Sequence, residues 1–124
     1  MRGFLLLITA LLLSVILLPI GFLFQIVITM CKSLNEYLFR IAKSIDQLGN
    51  VVCVGLFNMT LIKKIGYHFG NEDVTISYVL GMNKKLNTLT WLGIGLGNLL
   101  DAIEKDHLQK AINYEQKNKK ITHL

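Results

Sequence analysis

The residues of this sequence that could do chemistry are few and lie far apart. Asp73, Asp101 and His107 are the ones that suggest acid–base catalysis or metal binding, and their separation along the chain gives no reason to bring them together. His107 is close to Glu104 and Asp106, but neighbours in sequence point to different faces of a helix. We therefore interpret His107 as a half-exposed structural histidine and predict a protein that is not an enzyme and has no metal or cofactor.

One alternation of polar residues resembles part of a calcium loop without completing it. The alternating residues are Asn71, Asp73, Thr75 and Ser77. A calcium loop also needs a glycine at its sixth position and an acidic ligand at its end, where this sequence has Met82. Helix capping explains the pattern better, so we predict that Asp73 is the N-cap of a short helix over residues 74–80, which Gly81 ends.

A glycine-rich pattern, Gly93-x-Gly95-x-Gly97, lies in the uncharged segment 86–100. It does not fit a dinucleotide site, because no credible strand precedes it and no phosphate-binding context follows. Gly93 and Gly97 are four residues apart, and on a helix this spacing forms a small-residue groove for close helix packing. Trp91 in the same segment marks either a membrane interface or a buried core position.

The elements that would carry these residues follow from an N-terminal apolar run, residues 3–31, which contains no charged side chain. An uncharged run of this length is typical of a membrane-spanning helix. At about 1.5 Å per residue it would reach roughly 43 Å, more than the ~30 Å hydrocarbon core, so we expect a tilt or a kink. Pro19 predicts a kink over residues 17–21. Gln25 is either an interhelical contact or an interfacial residue.

A cleaved signal peptide is the alternative interpretation of this run. Arg2 supplies a positive start, but the apolar core is too long and no small-x-small cleavage pattern follows it. We therefore predict an uncleaved anchor. Arg2 is the only charged residue before Lys32, so the positive-inside rule favours a cytoplasmic C-terminal region, with the N-terminus outside. Cys31 and Cys53 do not make a disulfide framework and are interpreted as buried free thiols.

The rest of the chain is predicted to be helical and associated with the membrane. Residues 32–50 form an amphipathic pattern that Gly49-Asn50 would end, and residues 51–62 are too short to span and fit a re-entrant, interfacial or buried segment. Residues 101–114 continue the uncharged segment 86–100 as a charged amphipathic helix. Residues 115–124 form a basic tail that we expect to be mobile, with weak contact to anionic lipid or nucleic acid.

Composition agrees with this class of protein. The chain is 52% hydrophobic and only 17% charged, with a mean hydropathy of +0.50, which is more apolar than a soluble domain of 124 residues usually is. Helical periodicity recurs, and no segment alternates cleanly enough to require a sheet. The sequence therefore predicts an all-α protein with a transmembrane anchor over 1–31, a membrane-associated helical region over 32–114 and a basic tail over 115–124.

Several segments together resemble a group of small phage and prophage proteins. They are DQLGNVV (46–52), GY (66–67), FGNEDVTIS (69–77) and LGMNK (80–84). Members of that group show a Gly-Asn-x-Asp-Glu-Thr-Ile-Ser stretch and then a helix that ends near Asp-x-Ile-(x)n-His, here Asp101 to Ile103 and His107. Val74 stands where the family motif has an acidic residue. The resemblance implies no catalytic roles, because the family has no assigned reaction.

Three classes of function remain, in this order. The first is a structural membrane protein of a bacteriophage or prophage that contacts the bilayer, itself, or other membrane or virion proteins. The second is a holin-like lysis protein, for which small size, an N-terminal span and a basic C-terminal end are the usual ingredients. The third is a membrane enzyme or an accessory subunit, with Asp73, Asp101 and His107 as the residues to suspect.

Overall fold

The computed structural model describes residues 1–29 and 33–122, and these form six α-helices. The helices are α1 (Arg2–Thr29), α2 (Leu34–Val52), α3 (Val54–Thr60), α4 (Ile76–Lys85), α5 (Trp91–Ile103) and α6 (His107–Thr122). The predicted all-α class is confirmed. The chain divides into two compact units, Met1–Arg40 and Ile41–Leu124, with the boundary within α2, and the predicted division into anchor, helical region and tail stays a prediction. Cys31 is outside the described residues.

The first unit is dominated by α1, a helix of 28 residues with no buried side chain. It is long and apolar enough to cross a membrane, a property that it shares with signal sequences. Its hydroxyl groups bond back to the helix, as Thr9 Oγ1 does to the Leu5 carbonyl at 2.8 Å. Pro19 lies inside the helix without interrupting it, and the predicted kink stays a prediction. Phe22 stacks on Tyr37 of α2 with ring centroids 6.2 Å apart.

Helix α2 has the predicted amphipathic character but runs past its predicted end. It continues through Gly49 and Asn50 to Val52, because the Asn50 side chain is fully buried and hydrogen-bonds to another segment instead of ending the helix. The next segment forms a helix of only seven residues, α3, after the half-buried free thiol of Cys53.

The core of the second unit is built around α4. Val79 and Leu80 of α4 are fully buried, and Leu108 and Ile112 of α6 pack against them. The prediction that Gly81 ends this helix is wrong, since α4 extends to Lys85. An added Cβ at Gly81 would lie 2.9 Å from the Leu108 carbonyl oxygen, so the glycine lets α6 approach α4.

The predicted N-cap of α4 is also wrong. Thr75 caps the helix, and its Oγ1 accepts a hydrogen bond from the Tyr78 amide at 3.1 Å. Asp73 belongs to the turn before the helix, where its own amide donates to Asn71 Oδ1 at 2.9 Å. Both residue types cap helices well, and the turn before Thr75 leaves the side chain of Val74 fully buried in the core.

Residues 101–114 are not one continuous helix, as the sequence predicted. Helix α5 ends at Ile103 and α6 begins at His107, with Asp106 between them at a φ of 58°. The Asp101 carboxylate accepts from the Leu108 amide at 3.0 Å and so satisfies one of the first amides of α6. Its other oxygen pairs with Lys84 at 2.9 Å, which ties α4 to the α5–α6 connection.

The predicted mobile tail is helical as far as it is described, because α6 continues to Thr122. Glu115, its first residue, is buried and pairs with Lys43 of α2 at 3.1 Å. Lys43 also lies over the Tyr114 ring, 4.3 Å from its centroid. The C-terminal helix is therefore fixed to α2 and forms part of the second unit.

The glycine groove of α5 packs within the chain. An added Cβ at Gly93 would overlap the Leu61 carbonyl oxygen, and one at Gly97 would lie 3.1 Å from Leu108 Cδ1. At Gly95, on the other side of the helix, an added Cβ meets nothing within 4 Å. Gly93 and Gly97 thus allow close contact with the segment after α3 and with α6, and Gly95 has no such role.

These two environments predict opposite effects of the same substitution. Gly93→Ala should lower the free energy of unfolding by about 1–3 kcal/mol, because the methyl group overlaps backbone that cannot rotate away. Gly95→Ala should raise it by about 0.5–1 kcal/mol through better helix propensity. Thermal unfolding followed by circular dichroism in detergent measures both. Equal loss of stability in the two variants would contradict this packing.

Candidate functional site

Four polar side chains form a continuous hydrogen-bonded chain, which we call the Asp46 relay. Ser77 Oγ lies 3.2 Å from Asp46 Oδ2 and 3.0 Å from His107 Nε2. His107 Nδ1 in turn lies 2.7 Å from Glu104 Oε2. The relay runs from the buried interior at Ser77 to the exposed carboxylate of Glu104, and it joins α2, α4 and the α5–α6 connection.

The start of α4 determines where the relay begins. Asp46 of α2 accepts a hydrogen bond from the Ile76 amide at 3.1 Å and another from the Ser77 amide. These amides belong to the first turn of α4, where a helix has unpaired donors and its dipole favours an anion. Burial nevertheless raises the pKa of the Asp46 carboxyl, since the opposing hydrogen bonds from Ile76 and Ser77 are the smaller effect.

At the other end of the relay, the pKa of Glu104 is lowered. Hydrogen bonds from His107 and from Lys110 stabilise its ionised form, with Lys110 Nζ 3.0 Å from Glu104 Oε1. The two carboxyl groups of the relay are therefore shifted in opposite directions. The ionised Glu104 carboxylate can only accept a hydrogen bond, so His107 Nδ1 is protonated and donates to it.

The proton count of the relay limits its hydrogen bonding. The Ser77 hydroxyl has one proton and cannot donate to Asp46 and to His107 Nε2 at once. One additional proton allows both contacts of Ser77 to be hydrogen bonds. If the Asp46 carboxyl holds it, Asp46 donates to Ser77 Oγ and Ser77 donates to His107 Nε2. If His107 Nε2 holds it, His107 donates to Ser77 Oγ and Ser77 donates to Asp46. The relay is fully bonded only when it holds that proton.

The connectivity of serine, imidazole and carboxylate is the one that activates a nucleophilic serine. Acyl transfer also needs free N–H donors for the developing oxyanion. Here the amides of Ile76 and Ser77, which would be the nearest donors, already bond to Asp46, and Ser77 is only 6% exposed. As it stands, the relay binds three segments together and does not present Ser77 to a substrate.

A second polar group consists of three asparagines that hold the irregular segment between α3 and α4. Asn50 Nδ2 donates to the carbonyls of Asn71 and Val74, at 2.9 and 2.8 Å, and Asn50 Oδ1 accepts from the Gly70 amide at 2.9 Å. Asn58 bonds to both backbone groups of Phe69. These bonds replace a regular backbone ladder for the segment.

Asn83 of α4 does the same at the start of that segment. Its Oδ1 accepts from the Tyr67 amide and its Nδ2 donates to the Tyr67 carbonyl, both at 2.8 Å, and Thr88 Oγ1 lies 2.6 Å from the same Oδ1. Asn50 and Asn83 are both fully buried. Each of these asparagine side chains thus satisfies backbone groups that would otherwise be buried without a partner.

The residues that the sequence selected as functional do not assemble into one site. Asp73 is exposed before α4, Asp101 pairs with Lys84, and His107 joins the relay. His107 has 29% of its side chain exposed, as expected of a half-exposed structural histidine. Within residues 1–29 and 33–122, no three His, Cys, Asp or Glu side chains are grouped to hold a metal ion.

The remaining selected residues lie on the two apolar helices. Pro19 and Gln25 belong to α1, where Gln25 is half-exposed. Trp91 is the first residue of α5 and is 79% exposed, so its interpretation as a buried core residue is wrong.

Sequence reasoning did not find the relay. Glu104 and His107 are three residues apart, a spacing that brings side chains together around a helix end, and this signal was available. Asp46 and Ser77 are about 30 residues from their partners, and no local pattern relates them.

Comparison with protein-family models, with curated proteins and with solved structures finds no match to this chain.

The buried amide of Asn50 yields a stability prediction. Asn50→Ala removes three hydrogen bonds and leaves a buried amide and two carbonyls without that partner, so the free energy of unfolding should fall by about 2–4 kcal/mol. Asn98→Ala, at an exposed position of α5, should change it by less than about 0.5 kcal/mol. Chemical denaturation in detergent compares them, and equal effects would mean that Asn50 does not hold the segment.

The shifted carboxyl groups yield a prediction on pH. The raised pKa of Asp46 contributes stability that is present below its unfolded pKa and is lost as the pH rises through its folded pKa. The pKa of Asp101 is lowered, first by the hydrogen bond from Lys84 and then by that from Leu108, so its contribution is present above its unfolded pKa and is lost as the pH falls.

The two variants Asp46→Asn and Asp101→Asn separate these contributions. Between about pH 3 and pH 6, the stability of the wild-type protein minus that of Asp46→Asn should decrease with pH, whereas the difference from Asp101→Asn should increase. Unfolding free energies measured at several pH values test the signs. A difference from Asp46→Asn that increases with pH would mean that hydrogen bonding outweighs burial at Asp46.

Proposed function

We propose that the chain is a non-enzymatic, single-span membrane protein of a bacteriophage or prophage that has a structural or interaction role in a membrane or virion assembly. The observation that carries the proposal is α1, a helix of 28 residues with apolar side chains exposed along its whole length. In water an apolar surface of this size favours aggregation, whereas a helix that spans the hydrocarbon core of a bilayer is expected to have such a surface.

The polar groups of the second unit support a structural role. Asn50, Asn58 and Asn83 bond to backbone, and Asp101 and Glu115 pair with lysines of other helices. These side chains bond to other parts of the same chain and so stabilise its fold. This use of buried polar groups suits a unit whose task is to keep a fixed surface in position.

The basic end of the chain supports an orientation. Lys117, Lys119 and Lys120 lie in the exposed last turns of α6, and α1 has no charge after Arg2. By the positive-inside rule the second unit is then cytoplasmic or inside the virion, where these lysines meet anionic lipid or nucleic acid. The resemblance to phage and prophage proteins, over about residues 45–112, supports an origin in a bacteriophage or prophage. The partners are the bilayer, other copies of the chain, or other membrane and virion proteins.

A holin-like activity is the alternative, and it is favoured by the same anchor with a basic C-terminal helix. The two functions differ in their effect on a host cell. A holin collapses the membrane potential abruptly once enough copies have assembled, whereas a structural protein accumulates in the membrane without that event.

Charges in the middle of α1 test the proposal. In Leu12→Arg/Ile16→Arg each arginine should cost about 2.5–3.5 kcal/mol at the centre of the span, so the chain should leave the alkali-resistant membrane fraction. Leu12→Ala/Ile16→Ala keeps the helix uncharged and should stay there. Fractionation after induced expression in a bacterial host measures both, and the intact mass of the chain distinguishes an anchor from a cleaved signal.

Growth and membrane potential in the same cultures distinguish the two functions. Steady growth with the wild-type chain in the membrane fraction supports the structural role. A timed collapse of the potential that the arginine variant abolishes would replace it by the holin-like one. Equal membrane retention of the arginine and alanine variants would contradict both, since each requires α1 in the bilayer.

A further inference from the structure

We propose that the second unit docks on the lipid bilayer through one apolar surface, and that this surface is the outward side of α5 together with the exposed side of α3. We call it the α3/α5 face. Its ligand is the interfacial region of a bilayer with anionic headgroups. The inference rests on the proposed anchoring by α1 and adds to it which residues of the second unit contact lipid.

Helix α5 has two sides of different character. Gly93, Leu96, Gly97 and Leu100 face the core. The opposite side is apolar as well, with exposed fractions of 79% for Trp91, 57% for Leu99 and 76% for Ile103. Asn98 is the one polar residue on that side, and no residue of α5 before Asp101 is charged. An exposed helix side of this kind marks a protein or membrane contact.

Helix α3 extends the same surface at the start of α5. Thr90 Oγ1 donates to the Thr60 carbonyl at 2.6 Å, and the Thr90 amide donates to the Leu61 carbonyl at 3.0 Å. These bonds join the end of α3 to the residue before α5; Met59, which precedes Thr60, is 84% exposed, and Trp91, which follows Thr90, is 79% exposed. Two helices therefore present large apolar side chains from adjoining positions.

The charges around the face suit anionic headgroups. Lys63 and Lys64 follow α3, and Lys63 bonds through its backbone amide to the Thr88 carbonyl at 2.8 Å, close to the first turn of α5. Residues 47–71 and 74–100 contain no acidic side chain. Lysines beside an apolar surface are attracted to anionic lipid headgroups.

The outward side of α6 contrasts with this surface. It carries Gln109, Lys110, Asn113, Gln116 and Lys117, all exposed. The second unit is thus apolar towards α3 and α5 and polar towards α6. A unit of this kind lies at a boundary between lipid and water.

The dimensions and the aromatic residue favour lipid over a second copy as the occupant. At 13 residues, α5 is about 20 Å long, too short to span a bilayer and well suited to lie in the interface. Trp91 stands at its first turn, and tryptophan prefers the headgroup level because its ring is apolar and its N–H stays hydrated. The chain already reaches the bilayer through α1.

Trp91 is the only tryptophan of the sequence, so its fluorescence reports on this face without labelling. The full chain is reconstituted into vesicles of phosphatidylcholine and phosphatidylglycerol with brominated acyl chains in both leaflets, and in parallel into unbrominated vesicles with iodide on both sides. Docking predicts a blue-shifted emission that brominated lipid quenches and iodide does not. Alkaline extraction of the same vesicles measures the anchor separately.

Ile94→Glu disrupts the face, and Gln116→Glu on the outward side of α6 is the matched control, since both introduce one negative charge at an exposed helical position. Ile94→Glu should reduce lipid quenching of Trp91 by about twofold or more, and the control should leave it unchanged. Circular dichroism of both variants verifies the helical fold.

The quenching and extraction results test the docking face and the anchor separately. Quenching of Trp91 by brominated lipid that falls in Ile94→Glu alone supports docking. Quenching by iodide in chains that resist alkali overturns the docking face and leaves the anchor intact. Protection from both quenchers also overturns it and assigns the face to a second copy. Release of the chain by alkali refutes the anchor of the proposed function instead.

Discussion

The contact between Asp46 and the first turn of α4 is the constraint on which the second unit depends. Most residues of α4 are buried, and its side chains supply the surface on which α5 and α6 pack. A helix packed in this way still needs partners for its first amides. The carboxylate of Asp46 satisfies them from α2, and burial raises its pKa because the same enclosure excludes solvent.

The polar residues of the interior follow from this arrangement. The segment between α3 and α4 has no regular secondary structure, so those of its backbone groups that lie near the core need side-chain partners. Asparagine can donate and accept at once, and three asparagines on α2, α3 and α4 bond to this segment at Asn71, Phe69 and Tyr67. The relay through Ser77 and His107 then ties the start of α6 to the same point of α4.

The sequence predicted correctly those helices and contacts that neighbouring residues determine. The length of α1, the amphipathic stripe of α2 and the glycine groove of α5 all follow from residues within one or two turns. The errors arose where a distant partner changed a local preference. Gly49-Asn50 reads as a helix end, but Asn50 finds its partners about 20 residues later and the helix continues. Asp73 and Thr75 are both good caps, and only the burial of Val74 selects Thr75.

The same limit explains why the candidate site was missed and the tail misjudged. Asp46 and Ser77 come together only when α2 packs on α4, and Lys43 reaches Glu115 only when α2 packs on α6. A basic segment at a chain end usually remains solvated. Here the acidic residue Glu115 within that segment is buried and pairs with Lys43, and a lone acidic residue gives no such signal in the sequence.

The anchor changes how strong the α3/α5 face has to be. A free amphipathic surface must overcome the loss of translational freedom when it binds a bilayer. In the proposed anchored state the face belongs to the same chain as the anchor, so its docking is intramolecular and its effective concentration at the membrane is about millimolar. A weak surface then suffices. In this proposal α1 supplies the attachment and the face supplies the orientation, so an apolar surface followed by Lys63 and Lys64 is sufficient.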